Sequence, residues 1–259
     1  MATVKAVYGL AGRQCEGFFD SIFTLLGFEF PVPDHRTISR RIGKLSIALP
    51  AFPATGTRHV VVDSTGVKVY GEGGWKTRQH GVSKRCTWRK LHLGVDEATG
   101  EILSAVATSN AVHDSEILDD LLNQIDEDIE QVTTDGTYDH RHCYDEITKR
   151  GAKPVIPQRK DAVIWQHGNR KASSHPRDEN LRYIRKHGRK KWKRDSAYQC
   201  RSIAETAMFR FKAIFSGTLR SRRCDNQTAE LLIKCAALTS FASRRVRAKR
   251  LRLFSSSIP

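Results

Sequence analysis

The chain has 259 residues, enough for one large domain or one domain with a small appendage. Hydrophobic residues make up 39%, which excludes a fully disordered chain, and no run of about 18 apolar residues exists to form a membrane span. Lys and Arg number 44 against 28 Asp and Glu, and the resulting +16 points to a polyanionic partner, nucleic acid first.

The charge is unevenly placed: +3 over residues 1–58, −7 over 59–150 and +20 over 151–259. An acidic middle beside a basic C-terminal part suggests a carboxylate site framed by a phosphate-binding surface. The cysteines Cys15, Cys86, Cys143, Cys200, Cys224 and Cys235 form no C-x-x-C pair, so reduced thiols in a cytosolic protein are expected. His140, His142 and Cys143 lie close together but lack a second ligand pair for zinc. The apolar stretch Ala6 to Ala11 is too brief for a secretory signal.

Residues 13–27 (RQCEGFFDSIFTLLG) read as a helix with Phe18, Ile22, Leu25 and Leu26 at helical spacing and Gly27 as its stop. After Pro31 and Pro33, Asp34 caps a basic helix with Arg36, Arg40, Arg41 and Lys44. Helix, turn and basic helix fit a helix-turn-helix or a plain helical lead-in equally well. Pro50, Pro53 and Gly56 mark a boundary near residue 55. A strand follows, His59 to Asp63, and then a Gly-rich turn, YGEGGW (70–75). Residues 88–96 and 101–108 are strands joined by a turn at Glu97–Gly100. Next come a helix over 114–124, a strand over 130–135, a helix over 139–149 stopped by Gly151, and a short strand over 153–157. Residues 159–194 lose apolar periodicity and fill with basic residues. A helix then runs from near Asp195 to about Ser216, another spans about 226–242, and 243–259 form a basic tail expected to be frayed.

Three antiparallel strands followed by parallel additions describe a ribonuclease H-like α/β fold, a mixed sheet flanked by helices. The expected organisation is a helical N-terminal region (1–55), a catalytic domain (56–242) with a basic insertion (159–194) before its last catalytic helix, and the tail (243–259).

Asp63 and Asp135 each end a β-branched strand and precede small residues, Ser64-Thr65-Gly66 and Gly136-Thr137. Carboxylates at such strand ends sit where open α/β sheets place ligand groups, though a single one is more often a turn residue. In YQCRSIAETAMFRFK, at about 100° per residue, Tyr198, Arg201, Glu205 and Lys212 fall within one stripe of about 60°. Ile203, Ala204, Ala207, Phe211 and Ile214 fall on the opposite side. A carboxylate between cations on an outward face suits a phosphate-handling site. Other acidic and aromatic residues have plainer readings: Asp96 belongs to a turn, Asp139 caps the next helix, Glu72 has no clear role and His92 is structural. Trp75, Trp88 and Trp165 fit a core better than base stacking.

The spacing Y-x2-R-x3-E-x6-K, complete in Tyr198, Arg201, Glu205 and Lys212, resembles the signature of bacterial DDE transposases of the insertion-sequence-four and -five groups. DSTGVKVYGEGGWK (63–76), TTDGTYD (133–139), WRKLHLGVD and PVPDHRTISRR are similar to the insertion-sequence-five group. The resemblance implies a transposase that cleaves and transfers DNA strands at element ends. Asp63, Asp135 and Glu205 are its implied catalytic triad and ligands of two Mg²⁺ ions, with Mn²⁺ as a substitute. Tyr198, Arg201 and Lys212 are its implied DNA contacts. It further implies a homodimer on double-stranded DNA and a cytoplasmic, nucleoid-associated protein. Relatives carry several tens of residues before the stretch matching VKAVYGLAGRQ, which makes the N-terminal region a truncated one in this reading. The alternatives are a transposition-defective DNA-binding remnant and a ribonuclease H-like nuclease or resolvase.

Overall fold

The computed structural model describes residues 1–50, 56–69, 88–166 and 174–255, with side chains through residue 241. The turn at 70–75, Glu72, Trp75 and Cys86 lie outside the described residues.

Three helices come first: α1 (Ala2–Tyr8), α2 (Gly12–Leu26) and α3 (His35–Ile42). Gly27 ends α2 at φ 68, a left-handed turn that glycine adopts without cost. Asp34 caps α3 by accepting from the Thr37 N–H at 2.6 Å. The connection between α2 and α3 takes eight residues, 27–34. A DNA-binding helix-turn-helix uses only about 3–4. Ile38 and Ile42 of α3 pack with Ala229, which leaves Arg36, Arg40, Arg41 and Lys44 exposed. The apolar side expected for α2 is not buried: Phe18, Leu25 and Leu26 are exposed, and Cys15 is the buried member.

The sheet is built on β1 (Arg58–Val69), whose valines alternate between two buried faces. β2 (Trp88–Asp96) pairs antiparallel with β1, and β3 (Ile102–Ser109) antiparallel with β2. A 3₁₀ turn (Asp114–Ile117) leads into α4 (Leu118–Leu122), then β4 (Ile129–Thr133), α5 (Arg141–Lys149) and β5 (Lys153–Val155). β4 lies parallel to β1, and β5 parallel to β4, giving the order β3-β2-β1-β4-β5. This is the ribonuclease H-like arrangement expected from the sequence.

The basic insertion folds into two helices, α6 (Pro176–His187) and α7 (Arg189–Asp195). A 3₁₀ turn (Tyr198–Arg201) precedes α8 (Ser202–Phe215). The two-residue β6 (Thr218–Leu219) pairs with the far end of β1, and α9 runs over Cys224–Ser255. The tail expected to fray therefore has helical backbone as far as Ser255.

Alternation along β1 decides which helix covers which residue. Val61, Val67 and Val69 join Leu91 and Leu93 under α8 and α9. Val60 and Val62 face the opposite side, with Leu121, Tyr138 and Tyr144. Each fully buried Val or Leu contributes about 1.5–3 kcal/mol over leaving it exposed. Asp63, in step with Val61 and Val67, therefore belongs to the face under α8. Ser64 belongs to the other face.

Candidate active site

β1 does not end at Asp63. It runs on to Val69, because Val67 and Val69 continue the buried alternation and β2 pairs along the whole length. Asp63 is a mid-strand residue opposite Leu93. The edge of β1 is what changes there. Its parallel pairing with β4 reaches Val61↔Thr133, and pairing with β6 begins at Lys68. Asp63 and Asp135 each lie two residues past the rung Val61↔Thr133. They sit at the same level of adjacent chains, where neighbouring strands are about 4.8 Å apart, and they leave that rung with the same side-chain parity.

Asp135 is just beyond β4 and caps a 3₁₀ turn (Gly136–Tyr138). Its Oδ1 accepts from the Thr137 N–H at 2.9 Å and from the Thr137 hydroxyl at 2.5 Å. A Cβ on Gly136 would come within 3.2 Å of the Pro157 carbonyl, so a side chain after Asp135 would crowd that backbone.

Asp63 Oδ1 accepts from the Ser64 N–H at 2.9 Å, and Oδ2 lies 3.6 Å from Arg201 Nη2. Burial raises the proton affinity of Asp63 above the ordinary carboxylate range. The Ser64 N–H and Arg201 oppose that rise, and the charge of Asp135 adds to it. Arg201 Nη2 is also 3.0 Å from Glu205 Oε1, one helical turn on. One guanidinium thus joins a carboxylate of the sheet to a carboxylate of α8.

The outward stripe expected over Tyr198–Lys212 holds only in part. Ala197, at φ 54, turns the chain left-handed, and Tyr198–Arg201 form a 3₁₀ turn. The progression of 100° per residue therefore applies only within α8. Tyr198 is 9% exposed, with its ring 5.6 Å from that of Trp192. It faces inward, near enough to Arg201 for the two to act on each other electrostatically. Glu205 and Lys212 are exposed, as expected. Lys212 lies seven residues, about 10 Å along the helix, beyond Glu205 and packs on Gly217. On the buried side of α8, Met208 and Phe215 take the place expected for Ile214, which is exposed.

Asp139 does not cap α5, whose N-cap is His140. It is paired instead with Arg177 of α6, at 2.7 Å to Nε and 3.2 Å to Nη2, and accepts from the Tyr144 hydroxyl. Arg177 also lies 3.9 Å over the Trp165 ring. Trp165 is half-buried in that clasp and Trp88 is exposed, so neither is a plain core residue. Asp96 closes its turn by accepting from the Thr99 N–H and hydroxyl. His92 is fully buried against Thr108. His142 and Cys143 bond to the Ser115 carbonyl.

Four residues near the carboxylates carried no sequence signal. Ser64 donates from its hydroxyl to Asp114 Oδ2 at 2.9 Å, and Lys90 pairs with Asp114 Oδ1 at 2.8 Å. Tyr138 is 1% exposed beside them. Neither periodicity nor charge count marks such residues; they follow from which strands become neighbours.

Among the described residues, no three His, Cys, Asp or Glu side chains are drawn together as a set of metal ligands. The donors on the Asp63 and Asp135 rung still suit a hard divalent cation. They are carboxylate oxygens, and Asp63 is desolvated beside a like charge.

A family model described as "Transposase DDE domain" matches residues 54–240, and a second with the same description matches residues 1–72. Among solved structures the chain is similar to "Cryo-EM structure of piggyBac transposase synaptic complex with hairpin DNA (SNHP)", at 12% identity and a TM-score of 0.44. That likeness covers 75% of this chain and 49% of the other, so the chain spans about half of that protein's length.

Proposed function

The chain belongs to the transposase DDE domain family, and from that premise we propose that it cleaves DNA at the ends of an insertion sequence and transfers those ends to a target. The observation that carries this reading is the shared rung Val61↔Thr133, which sets Asp63 and Asp135 at one level, with Glu205 tied to Asp63 through Arg201.

In this reading Asp63, Asp135 and Glu205 are the catalytic carboxylates and hold two Mg²⁺ ions, or Mn²⁺ in their place. When bound, such ions supply Lewis acidity for phosphodiester hydrolysis and transesterification. Asp63 on β1 and Asp135 just beyond the end of β4 would fix where the reacting phosphate is held. Glu205 is exposed and its described partner is Arg201, so it can exchange the guanidinium for a cation. Arg201 then presents a planar fork to a DNA phosphate, Lys212 offers a point charge further along α8, and Tyr198, as a further DNA contact, would lie beside Arg201.

The Y-R-E-K spacing supports assignment to the bacterial insertion-sequence-five group, and with it a cytoplasmic, nucleoid-associated protein. Joining two ends calls for a homodimer on double-stranded DNA. The test is incubation of the protein with labelled duplex carrying the DNA that flanks its gene, with Mg²⁺, Mn²⁺ or a chelator. Cation-dependent cutting at the element end, leaving a 3′-hydroxyl, is the expected result. Binding without cutting under either cation would contradict it and leave a DNA-binding remnant. Cutting without preference for the end would leave a nuclease.

A further inference from the structure

The helix α3 is docked onto the first turns of α9. Ile38 and Ile42 pack on Ala229, and the Asn226 side-chain amide donates to the Ser39 carbonyl at 3.0 Å. Gly43 lies so close to α9 that a Cβ on it would meet the Asp225 Cβ at 3.0 Å. Ser39 and Asn226 are 187 residues apart in sequence, so the docking joins two remote basic segments on one part of the surface. Arg36, Arg40, Arg41 and Lys44 come from one segment, Arg222 and Arg223 from the other, and all six are exposed.

The acidic groups nearby are engaged. Asp34 accepts the Thr37 N–H, Glu16 pairs with His35, and Asp225 pairs with Arg223. The side chains of Arg36, Arg41, Lys44 and Arg222 have no acidic partner among the described residues. Like charges gathered in this way repel one another, and a polyanion relieves the repulsion.

The surface has a definite place relative to the carboxylates. β6 pairs parallel with Lys68 and Val69, so the chain leaves Leu219 past the end of β1 and runs on to Arg222 and Arg223. Asp63 lies six residues back from Val69, about 20 Å of strand. Lys212 stands between, packed on Gly217, whose carbonyl accepts the Lys68 N–H. Arg201, Lys212 and this surface are therefore successive cations leading away from Asp63. At 3.4 Å per base pair, 20 Å is about six base pairs of duplex.

We propose that α3 and residues 220–223 form one phosphate-binding surface that holds double-stranded DNA about six base pairs from the cleaved bond. The contacts are to phosphates rather than base edges, since the eight-residue connection before α3 is too long for a helix-turn-helix. This inference rests on the reading of Asp63, Asp135 and Glu205 as the cleavage site.

The experiment measures binding of the full chain to labelled element-end duplexes over a range of salt. One duplex stops about three base pairs either side of the cleaved bond, and others extend to about twelve on one side or the other. The wild type should bind an extended duplex more tightly and with a steeper slope of log K against log[salt], and should keep that gain when the extension is scrambled. Arg36→Gln, Arg41→Gln and Arg222→Gln should each flatten the slope on the extended duplex by about 0.9 and leave it unchanged on the short one. Arg36→Lys and Arg222→Lys should restore the slope, because the charge is kept. Unchanged slopes in all three glutamine variants, or no gain from either extension, would overturn the proposal; Mg²⁺-dependent cutting by the wild type in the same samples would leave the cleavage reading standing. A gain lost on scrambling would mean that α3 reads bases and would overturn the proposal as well. Cutting of neither duplex under Mg²⁺ or Mn²⁺, with the variant effects intact, would remove the cleavage reading and leave a duplex-binding surface.

Discussion

Asp63 is a carboxylate whose folded environment favours its protonated form. Burial is the main cause, and the nearby Asp135 adds to it against the Ser64 N–H and Arg201. A raised folded pKa means that the folded state binds the proton more tightly than the unfolded chain does. The resulting stability is present at acid pH and is lost as pH rises through the folded value. Asp63→Asn should therefore unfold at a higher Tm than the wild type at pH 7, and the difference should vanish as pH falls through the carboxylate range. Thermal melts between pH 3.5 and 7 check this; a lower Tm at pH 7 would contradict it. Arg201→Ala should raise the Asp63 pKa further, because a cation that opposes the rise is gone. Carboxyl chemical shifts through a pH titration follow that directly. The two aspartates were legible because β-branched runs lead into them. The partners Ser64, Asp114 and Tyr138 were not, since the register Ser64↔His92 and the packing of two 3₁₀ turns bring them together.

The elements around the site depend on a few buried ion pairs. Glu230 and Lys234 of α9 are nearly fully buried, 2.8 Å apart, and Glu230 also accepts the Arg220 and Ser221 N–H groups. Burial alone would raise the Glu230 pKa, but Lys234 and those hydrogen bonds outweigh it and hold the group low. Its stabilisation is present above the unfolded carboxylate pKa and is lost as pH falls through the lower folded value. Lys234→Met should cost about 3–5 kcal/mol at pH 7 by stranding the carboxylate, and adding Glu230→Gln should recover part of the loss. Denaturant melts of the single and double variants measure it. Arg177→Ala should release the insertion from Asp139 and break its internal tie to the Val163 carbonyl, seen as faster proteolysis within 159–194.

At this scale the strands and the helices α2 and α3 were readable from alternation and caps, but α6 and α7 were not. Both are short of apolar residues, and periodicity looks only for those. Their signal lay in end chemistry: Pro176 in the first turn of α6, Asp178 and Glu179 behind it, and Arg185, Lys186 and His187 in the last turn. The left-handed Ala197 has no such signal, because alanine is a helix former, and so the break before α8 was missed.

For the whole molecule, the carboxylates come from the −7 central segment together with Glu205, and the +20 C-terminal part supplies α6, α7 and α8 beside them. DNA binding through that part should weaken steeply with salt. Lys212→Ala and Arg201→Ala should each flatten the slope of log K against log[salt] by about 0.9 if each meets one phosphate. They should slow cleavage more than binding, since a displaced phosphate loses its alignment with the carboxylates. Unchanged slopes and rates would mark that face of α8 as solvated surface. The most direct measurement of the central claim is single-turnover cleavage of a labelled element end in Mg²⁺ by Asp63→Asn, Asp135→Asn and Glu205→Gln, beside DNA binding by the same proteins. Each amide variant is expected to bind DNA at close to wild-type affinity and to lose strand cleavage. Any of the three cutting at near the wild-type rate would contradict its place in the site.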